Sequence, residues 1–286
     1  MKKSNALSLK EVLPSLEYII DINVLLSSLN YRLRDTLYSN NRNKKFPRFE
    51  VSTLPEGDII FILAGTSNTF PREDVIIGRL KPDLNTLKYV LDVEKGAESF
   101  NFDNLAKIAN DHIQLLVDCI VTADKANPIM NIRRIIEHSY QYIMINNLIN
   151  NVFHKLSNAV YRSNTTFDYF RAFNNTIFKD GKIIINIKNG KMAYSTDNGF
   201  TFNETFVCTP VLENPVEYIV EIQPNEVPTI RPTMEEKACT AIAIKNVLTK
   251  FVKNIDGCLN SDNPTLILME NNLYEDREDI GYDDEF

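Results

Sequence analysis

The sequence predicts an α+β protein in which long amphipathic helices pack with two small antiparallel β-meanders, followed by an acidic C-terminal tail. Apolar residues recur at helical spacing over several long stretches. Short β-branched and aromatic runs, separated by turn residues, form two groups. Because the strands are grouped instead of alternating with helices, we do not expect a parallel α/β sheet.

The first predicted element is a long helix near the N-terminus, followed by a sheet. The helix has apolar positions at Leu16, Ile19, Ile20, Val24, Leu29, Leu33 and Leu37. Ser8 and Glu11 have capping-box spacing, but Pro14 suits a first helical turn and predicts that the main helix begins there. Strands around residues 51, 59–63, 75–77 and 89–93 then form the first antiparallel sheet.

Two helices follow the first sheet. Asp103 is the expected N-cap of a helix over residues 103–125. A single longer helix is predicted over residues 128–162, with an apolar stripe from Ile132 to Val160. The predicted division is 1–164, 165–271 and a tail of 272–286, although the first two regions also fit one continuous domain.

The second meander is predicted from residue 182 onward. Its strands cover residues 182–188, 191–196, 200–209 and 215–224, with a first turn at Asn189-Gly190. A helix capped by Thr233 comes next, and residues 265–270 favour a last strand. The remaining acidic segment has too little apolar surface to fold alone.

The stretch YSTDNGFTF, residues 194–202, contains the one local motif that suggests a known family. It resembles the Asp-box hairpin of sialidases and related β-propeller proteins, with Phe202 in place of the usual Trp. The matching residues are Ser195, Asp197, Gly199 and Thr201. The resemblance covers one short segment, and a propeller needs several copies. It therefore implies a structural turn, with Asp197 accepting backbone bonds and Gly199 supplying a positive φ.

Composition limits the classes of function. The chain has 286 residues and a net charge of −7, which argues against broad binding to nucleic acid and leaves only local contact with it. Its four cysteines lack metal-site or disulfide spacing and predict reduced thiols. The N-terminus has no apolar run of signal-peptide length. These features predict a soluble protein, not secreted by signal peptide, in the host cytoplasm or in a virion.

No catalytic motif is visible, and we expect no cofactor. His138 and His154 are sixteen residues apart on a predicted helix, too far to share a metal, and His112 lies in an apolar stripe. Asp180, Glu217 and Glu221 could mimic the carboxylates of a metal-dependent nuclease, but Gln223 replaces the usual Lys. The simpler interpretation of Glu217 and Glu221 is a charged strand edge.

Two basic clusters and the acidic tail are the predicted interaction sites. The clusters contain Arg42, Lys44, Lys45, Arg48, Arg133 and Arg134, and the tail contributes Tyr274, Asp283 and Asp284. Their opposite charges suggest that the tail of one subunit lies on the basic loop of another. The alternative interpretation of the loop is a solvated surface.

The expected function is therefore contact with other proteins, through a homo-oligomer without a membrane partner. Abundant Asn, Ile, Lys and Tyr, with nine Gly and no Trp, indicate AT-rich coding DNA. This favours a virion component of a tailed bacteriophage, of connector, neck or baseplate type. The alternatives are a non-structural binding or regulatory protein and, less favoured, a metal nuclease or glycan-directed enzyme.

Overall fold

A computed structural model describes residues 7–44, 48–65, 74–122, 129, 131–163, 169–191, 201–213, 215–223 and 234–260. It confirms the α+β class. The helices in these ranges are α1 (Leu9–Val12), α2 (Leu16–Asn40), α3 (Leu105–Thr122), α4 (Ile132–Glu137), α5 (Ser139–Arg162) and α6 (Met234–Asn260). The strands are β1 (Phe49–Thr53), β2 (Ile59–Leu63), β3 (Val75–Asp83), β4 (Lys88–Val93), β5 (Tyr169–Lys179), β6 (Lys182–Lys191), β7 (Thr201–Val211) and β8 (Glu217–Gln223).

The first sheet matches its prediction. It has the order β1-β2-β3-β4, with every neighbouring pair antiparallel. Side chains from one sheet face, α2, α3 and α4 form a single buried core, because their apolar positions alternate along the strands and recur along the helices. Its fully buried members include Leu33, Leu37, Phe61, Leu80 and Leu105.

The N-terminal helix begins earlier than Pro14. The Ser8 backbone N–H and hydroxyl both donate to Glu11 Oε2, at 3.1 and 2.9 Å, and so start α1. Pro14 lies in a 3₁₀ turn, Leu13–Ser15, between α1 and α2. By length and composition Leu9–Asn40 could cross a membrane, but 44% of its most apolar window is buried in the protein, which is compatible with a core helix of a soluble protein.

The predicted single helix over residues 128–162 is wrong. It is broken at His138, whose φ of −113° and ψ of 19° leave the helical region between α4 and α5. Asn131 caps α4 by accepting bonds from the backbone N–H groups of Arg133 and Arg134. Because the apolar periodicity continues through this break, the sequence pattern did not indicate the break. Likewise α3 begins at Leu105, two residues after the predicted cap at Asp103.

The second sheet has the order β5-β6-β7-β8, again antiparallel throughout. The turn predicted at Asn189-Gly190 is wrong, because both residues lie inside β6 and pair with β5 and β7. The first hairpin turn is instead Asp180-Gly181, with φ values of +51° and +73°. Positive φ at both positions is the type I′ geometry that a two-residue hairpin requires. Strand β5 was missed altogether.

The contacts divide the chain into two units inside α5, between Ile143 and Met144. The first unit is Met1–Asn5 with Tyr18–Ile143, and the second is Ala6–Glu17 with Met144–Phe286. In the first unit α3 contacts β4. In the second, α6 contacts β8 and α1. The predicted Thr233 cap, the strand over 265–270 and the acidic tail lie outside the described residues.

Candidate interaction surfaces

The described cations of the first basic cluster lie next to partners within the chain. The Arg42 guanidinium is 3.5 Å from Ser39 Oγ, and Lys44 Nζ is 5.3 Å from the centre of the Phe100 ring. Arg48 is 3.4 Å from Glu50 across a solvent-exposed ion pair, a type of contact that contributes little to stability. Lys45 lies outside the described residues. Each of these three cations therefore has a different neighbour within the chain.

A residue that the sequence analysis missed holds the start of this loop. Asn41 is buried, and its amide group donates to the carbonyl oxygens of Leu37 and Asn101 at 2.8 and 2.9 Å. Its carbonyl oxygen in turn accepts from the Asn101 backbone N–H at 2.9 Å. An asparagine just after a helix is a recognised end signal, but its distant partner could not be identified from spacing.

Arg133 binds a turn of the first sheet. Its guanidinium donates through Nε and Nη2 to the Leu84 carbonyl oxygen, at 3.1 and 2.7 Å, and so fixes the β3–β4 turn. The neighbouring Arg134 is half-buried. The second basic cluster thus consists of one turn-binding side chain and one that lies partly inside the protein. Sequence alone showed two adjacent cations.

A ladder of opposite charges covers part of the first sheet. Arg79 contacts Glu94 at 2.7 Å and Asp58 at 3.9 Å, and Lys81 contacts Asp92 at 2.6 Å. The hydrogen bond and charge of Lys81 lower the pKa of Asp92, whereas burial raises the pKa of Asp58. Since two cations face three carboxylates, most of the charge on this surface is neutralised and only a small negative excess remains.

The residues of the Asp-box-like motif are only partly described. Ser195, Asp197 and Gly199 lie outside the described residues, as do Tyr274, Asp283 and Asp284 of the tail. Thr201 and Phe202 begin β7, opposite Gly190 and Asn189. The strands that flank the motif therefore pair antiparallel with each other. The role of the motif as a structural turn stays a prediction.

The three carboxylates of the nuclease alternative have separate surroundings. Asp180 lies in the β5–β6 turn, where its backbone N–H donates to Glu17 at 3.2 Å. Glu217 forms an ion pair with Lys245 at 3.1 Å, and Glu221 lies opposite Val207 in β8. Among the described residues, no group of three or more His, Cys, Asp or Glu side chains could hold a metal ion.

Burial shifts the pKa of His112, Cys208 and Cys258 toward the neutral form. Burial lowers the pKa of His112, and the Arg32 charge reinforces this shift, whereas the Leu25 backbone opposes it. Neither ring nitrogen completes a hydrogen bond within the described part of the chain. Burial also raises the pKa of the Cys208 thiol to about 12 and that of Cys258 to about 11. Such thiols are protonated and poorly nucleophilic near neutral pH.

One shallow cleft lies between α5 and α6 in the second unit. Leu148, Val152, Val247 and Phe251 contribute apolar surface, and Lys155 and Lys250 are among its polar lining residues. Its accessible interior is about 10 Å³, about enough for one water molecule. A substrate-binding pocket is far larger, commonly several hundred Å³, so this cleft does not support a small-molecule site.

An ordered row of exposed apolar side chains lies on α2, which we call the α2 stripe. It consists of Val24, Tyr31 and Tyr38, whose exposed fractions are 61, 59 and 52%. The sequence analysis placed Val24 in the helix core, and this was wrong. The core-facing positions are Leu26, Leu29, Leu33 and Leu37, all buried. The stripe thus lies on a separate face of the same helix.

No protein-family description, curated protein or solved structure matches this chain.

Proposed function

We propose that this protein is a structural or assembly subunit that acts through contacts between copies of itself. The α2 stripe is the observation that supports this function best. Single exposed apolar residues are common on soluble proteins, but these three large ones recur at a regular seven-residue spacing and form a row along one face of α2. Such a face is typical of helices that pack against another helix.

The AT-rich composition supports a more specific version of this proposal. Abundant Asn, Ile, Lys and Tyr indicate AT-rich coding DNA, a bias that bacteria, bacteriophages and large DNA viruses can all show, and we propose a connector, neck or baseplate subunit of a tailed bacteriophage. Subunits of this kind associate with copies of themselves into closed symmetric assemblies. They need no set of catalytic residues.

The test is the solution mass of the purified protein by light scattering, at two concentrations and two salt levels. We expect a discrete oligomer whose mass is a multiple of the monomer mass. A triple variant, Val24→Gln, Tyr31→Gln and Tyr38→Gln, should be shifted toward monomer. Glutamine is used because it is a good helix former.

The matched control replaces three exposed apolar residues on other helices. Leu115, Tyr161 and Ile242 have exposed fractions of 46, 76 and 61%. The variant with glutamine at these three positions should keep the wild-type mass. Monomeric wild-type protein at the highest concentration would contradict self-assembly and favour a regulator that binds a different protein.

A further inference from the structure

The cleft between α5 and α6 in the second unit has an apolar floor and a polar rim. Leu148, Val152 and Phe251 form the floor and are almost completely buried. Each helix adds one lysine and one asparagine to the rim, four residues apart, so that both lie on the same side of their helix. These rim residues are Asn151 and Lys155 of α5 and Lys250 and Asn254 of α6. The cleft thus presents two cations and two amides around an apolar floor.

The two helices that form this cleft carry mainly positive charge near it. Along its whole length α5 contains no Asp or Glu. From residue 245 to residue 260, α6 contains three lysines and one aspartate. Lys245 forms an ion pair with Glu217 at 3.1 Å, whereas Lys250 and Lys253 are both exposed and lie one turn apart. The surface around the cleft is therefore locally positive, although the net charge of the chain is −7.

The acidic tail, residues 272–286, has a composition that complements this surface. It contains seven acidic residues and one arginine, so it carries six of the seven net negative charges of the chain. Its carboxylates can pair with the lysines of the rim, and the asparagine amides of the rim can bond to the backbone of an extended segment. Large apolar residues are interspersed with the acids: Leu273, Tyr274, Ile280, Tyr282 and Phe286.

The connection between α6 and the tail is long enough to reach the cleft of the same chain. Asn254 is about 9 Å, and Val247 about 20 Å, back along α6 from its last residue, Asn260. The twelve residues from Asn260 to residue 272 can span up to about 40 Å. Because the connection is short, the tail meets its own cleft at a far higher effective concentration than the cleft of a second copy.

The basic loop around residues 42–48 complements the tail less well. Its described cations each have a different neighbour within the chain, and Arg48 already pairs with Glu50 at 3.4 Å. An acidic segment placed there would meet the Glu50 carboxylate as well as the cations. In the cleft, Lys155 and Lys250 come from two different helices, and none of the described lining residues is acidic. Charge therefore favours the cleft.

We propose that the acidic tail binds the α5–α6 cleft of its own chain, with its carboxylates paired to Lys155 and Lys250 and its apolar side chains over the floor. A shallow cleft suits this occupant, because an extended segment lies across the two helices and does not need an enclosed pocket. The contact goes beyond the proposed function, since it lies within one chain. It also covers the cleft against acidic segments of other proteins.

Zero-length cross-linking of the full-length wild-type protein tests this contact. A carbodiimide joins a lysine amine to a carboxylate only where the two groups touch, and mass spectrometry of the digested protein identifies the linked residues. Lys107 and Asp111, 2.6 Å apart on α3, are the internal positive control. We expect links from Lys155 and Lys250 to acidic residues between 275 and 285.

Exposed lysines of the first unit are the matched controls for cross-linking. Lys88 and Lys95 are both exposed, and links from them to the tail should be at least about fivefold weaker. The reaction is also carried out on an equal mixture of unlabelled and isotope-labelled protein. Links that join only peptides of the same label show that the tail and the cleft belong to one chain.

Trypsin cleavage after Arg277 is the second measurement, because a bound tail is protected from proteases. We expect the double variant Lys155→Gln and Lys250→Gln to release the segment after Arg277 at least about fivefold faster than the wild type. The double variant Lys88→Gln and Lys95→Gln, which makes the same change of charge at exposed positions, should be cleaved at the wild-type rate.

Other outcomes would overturn the inference in distinguishable ways. Links between differently labelled chains would assign the cleft to the tail of a second copy, and would support the proposed function. Tail links confined to Lys44 or Lys45 would place the tail on the basic loop. Links between Lys107 and Asp111 without any tail link would show that the tail is not bound. The mass from light scattering tests the proposed function separately, so failure of one proposal is distinguishable from failure of the other.

Discussion

At the scale of single residues, Gly57 has the strictest local requirement in the first unit. Its φ is +84°, and a Cβ atom there would lie 2.4 Å from the Ile136 carbonyl oxygen. Both the backbone conformation and the space therefore exclude a side chain. This contact joins the β1–β2 turn to α4, two elements that are far apart in sequence.

We predict that Gly57→Ala lowers the free energy of unfolding by about 3 kcal/mol, from backbone strain together with overpacking. Gly96→Ala is the matched control, because Gly96 has a φ of +94° but no atom within 4 Å of its Cβ position. Gly96→Ala should lower the free energy of unfolding by only about 1 kcal/mol. Urea unfolding of both variants measures the difference, and equal losses would show that the Ile136 contact does not matter.

We expect His112 to make the stability of the first unit dependent on pH. Its pKa is lowered by burial in the folded state, from an ordinary value of 6.5. Between these two pKa values the unfolded chain binds more protons, so the free energy of unfolding rises with pH. The stability is fully present above pH 6.5 and is lost as the pH falls toward the folded-state pKa.

We therefore predict that the free energy of unfolding of the wild-type protein, measured with urea, decreases as the pH drops below 6.5. The decrease should be at most about 1.4 kcal/mol per pH unit for this one group. His112→Leu should flatten the dependence in this range. His154→Gln, a change at an exposed position, should leave it as in the wild type. An unchanged slope in His112→Leu would assign the effect to other groups.

At the scale of elements, the edge strand β4 depends on a side chain of α3. The Tyr89 backbone N–H donates to Asn110 Oδ1 at 2.7 Å, and Asn110 Nδ2 donates back to the Tyr89 carbonyl oxygen at 3.3 Å. The amide of Asn110 thus occupies the place of a neighbouring strand. Pairing the backbone groups of an edge strand also protects it from association with other strands.

We predict that Asn110→Ala destabilises the first unit by about 2 kcal/mol, because two backbone groups lose their partner. Hydrogen exchange at the Tyr89 amide should accelerate more than exchange in β2. Gln114→Ala removes an exposed amide one turn along α3, whose Nε2 donates to exposed Asp118 at 3.0 Å. It should change stability by less than about 0.5 kcal/mol.

The sequence predicted the elements that have regular spacing and missed those that depend on distant contacts. The first sheet and most helices follow from apolar periodicity, which reports local burial directly. The break at His138 and the strand β5 do not, because the periodic pattern continues across the break and β5 has no clear alternation. Asn189-Gly190 is a strong turn signal, yet pairing with strands on both sides holds these residues in β6.

The α2 stripe shows the same limit for the candidate site. Val24 has helical spacing with the core residues, and only the position of the neighbouring elements determines that it is exposed. The basic clusters were visible as charge, but the bond between Arg133 and the Leu84 carbonyl oxygen required the fold. Composition and spacing identified the surfaces, whereas the contacts made by each side chain followed only from the fold.

At the scale of the whole molecule, the N-terminal turn belongs to the second unit. A Cβ on Gly181 would lie 3.0 Å from Pro14 Cα, and the Asp180 N–H donates to Glu17. Val12, Leu13 and Leu16 are almost completely buried. The short N-terminal segment therefore forms part of the core around the β5–β6 hairpin.

We predict that removing residues 1–17 destabilises the second unit by several kcal/mol, because buried Leu and Val side chains are lost. Hydrogen exchange should accelerate in β5 and β6, and change much less in β1 to β4. Lys10→Ala, which alters an exposed side chain of α1, is the control and should leave both sheets protected. Equal acceleration in both sheets would show that the two units unfold together.

The same arrangement has a consequence for biosynthesis. The segment Ala6–Glu17 belongs with residues from Met144 onward, and the whole of Tyr18–Ile143 is synthesised between them. The first unit can acquire its core while the chain is still attached to the ribosome. The N-terminal turn precedes the first unit in the sequence but must wait until the β5–β6 hairpin and α6 have been synthesised before its partners exist. If elongation is slow or stops early, side chains of this turn that are buried in the folded protein stay exposed to chaperones and proteases.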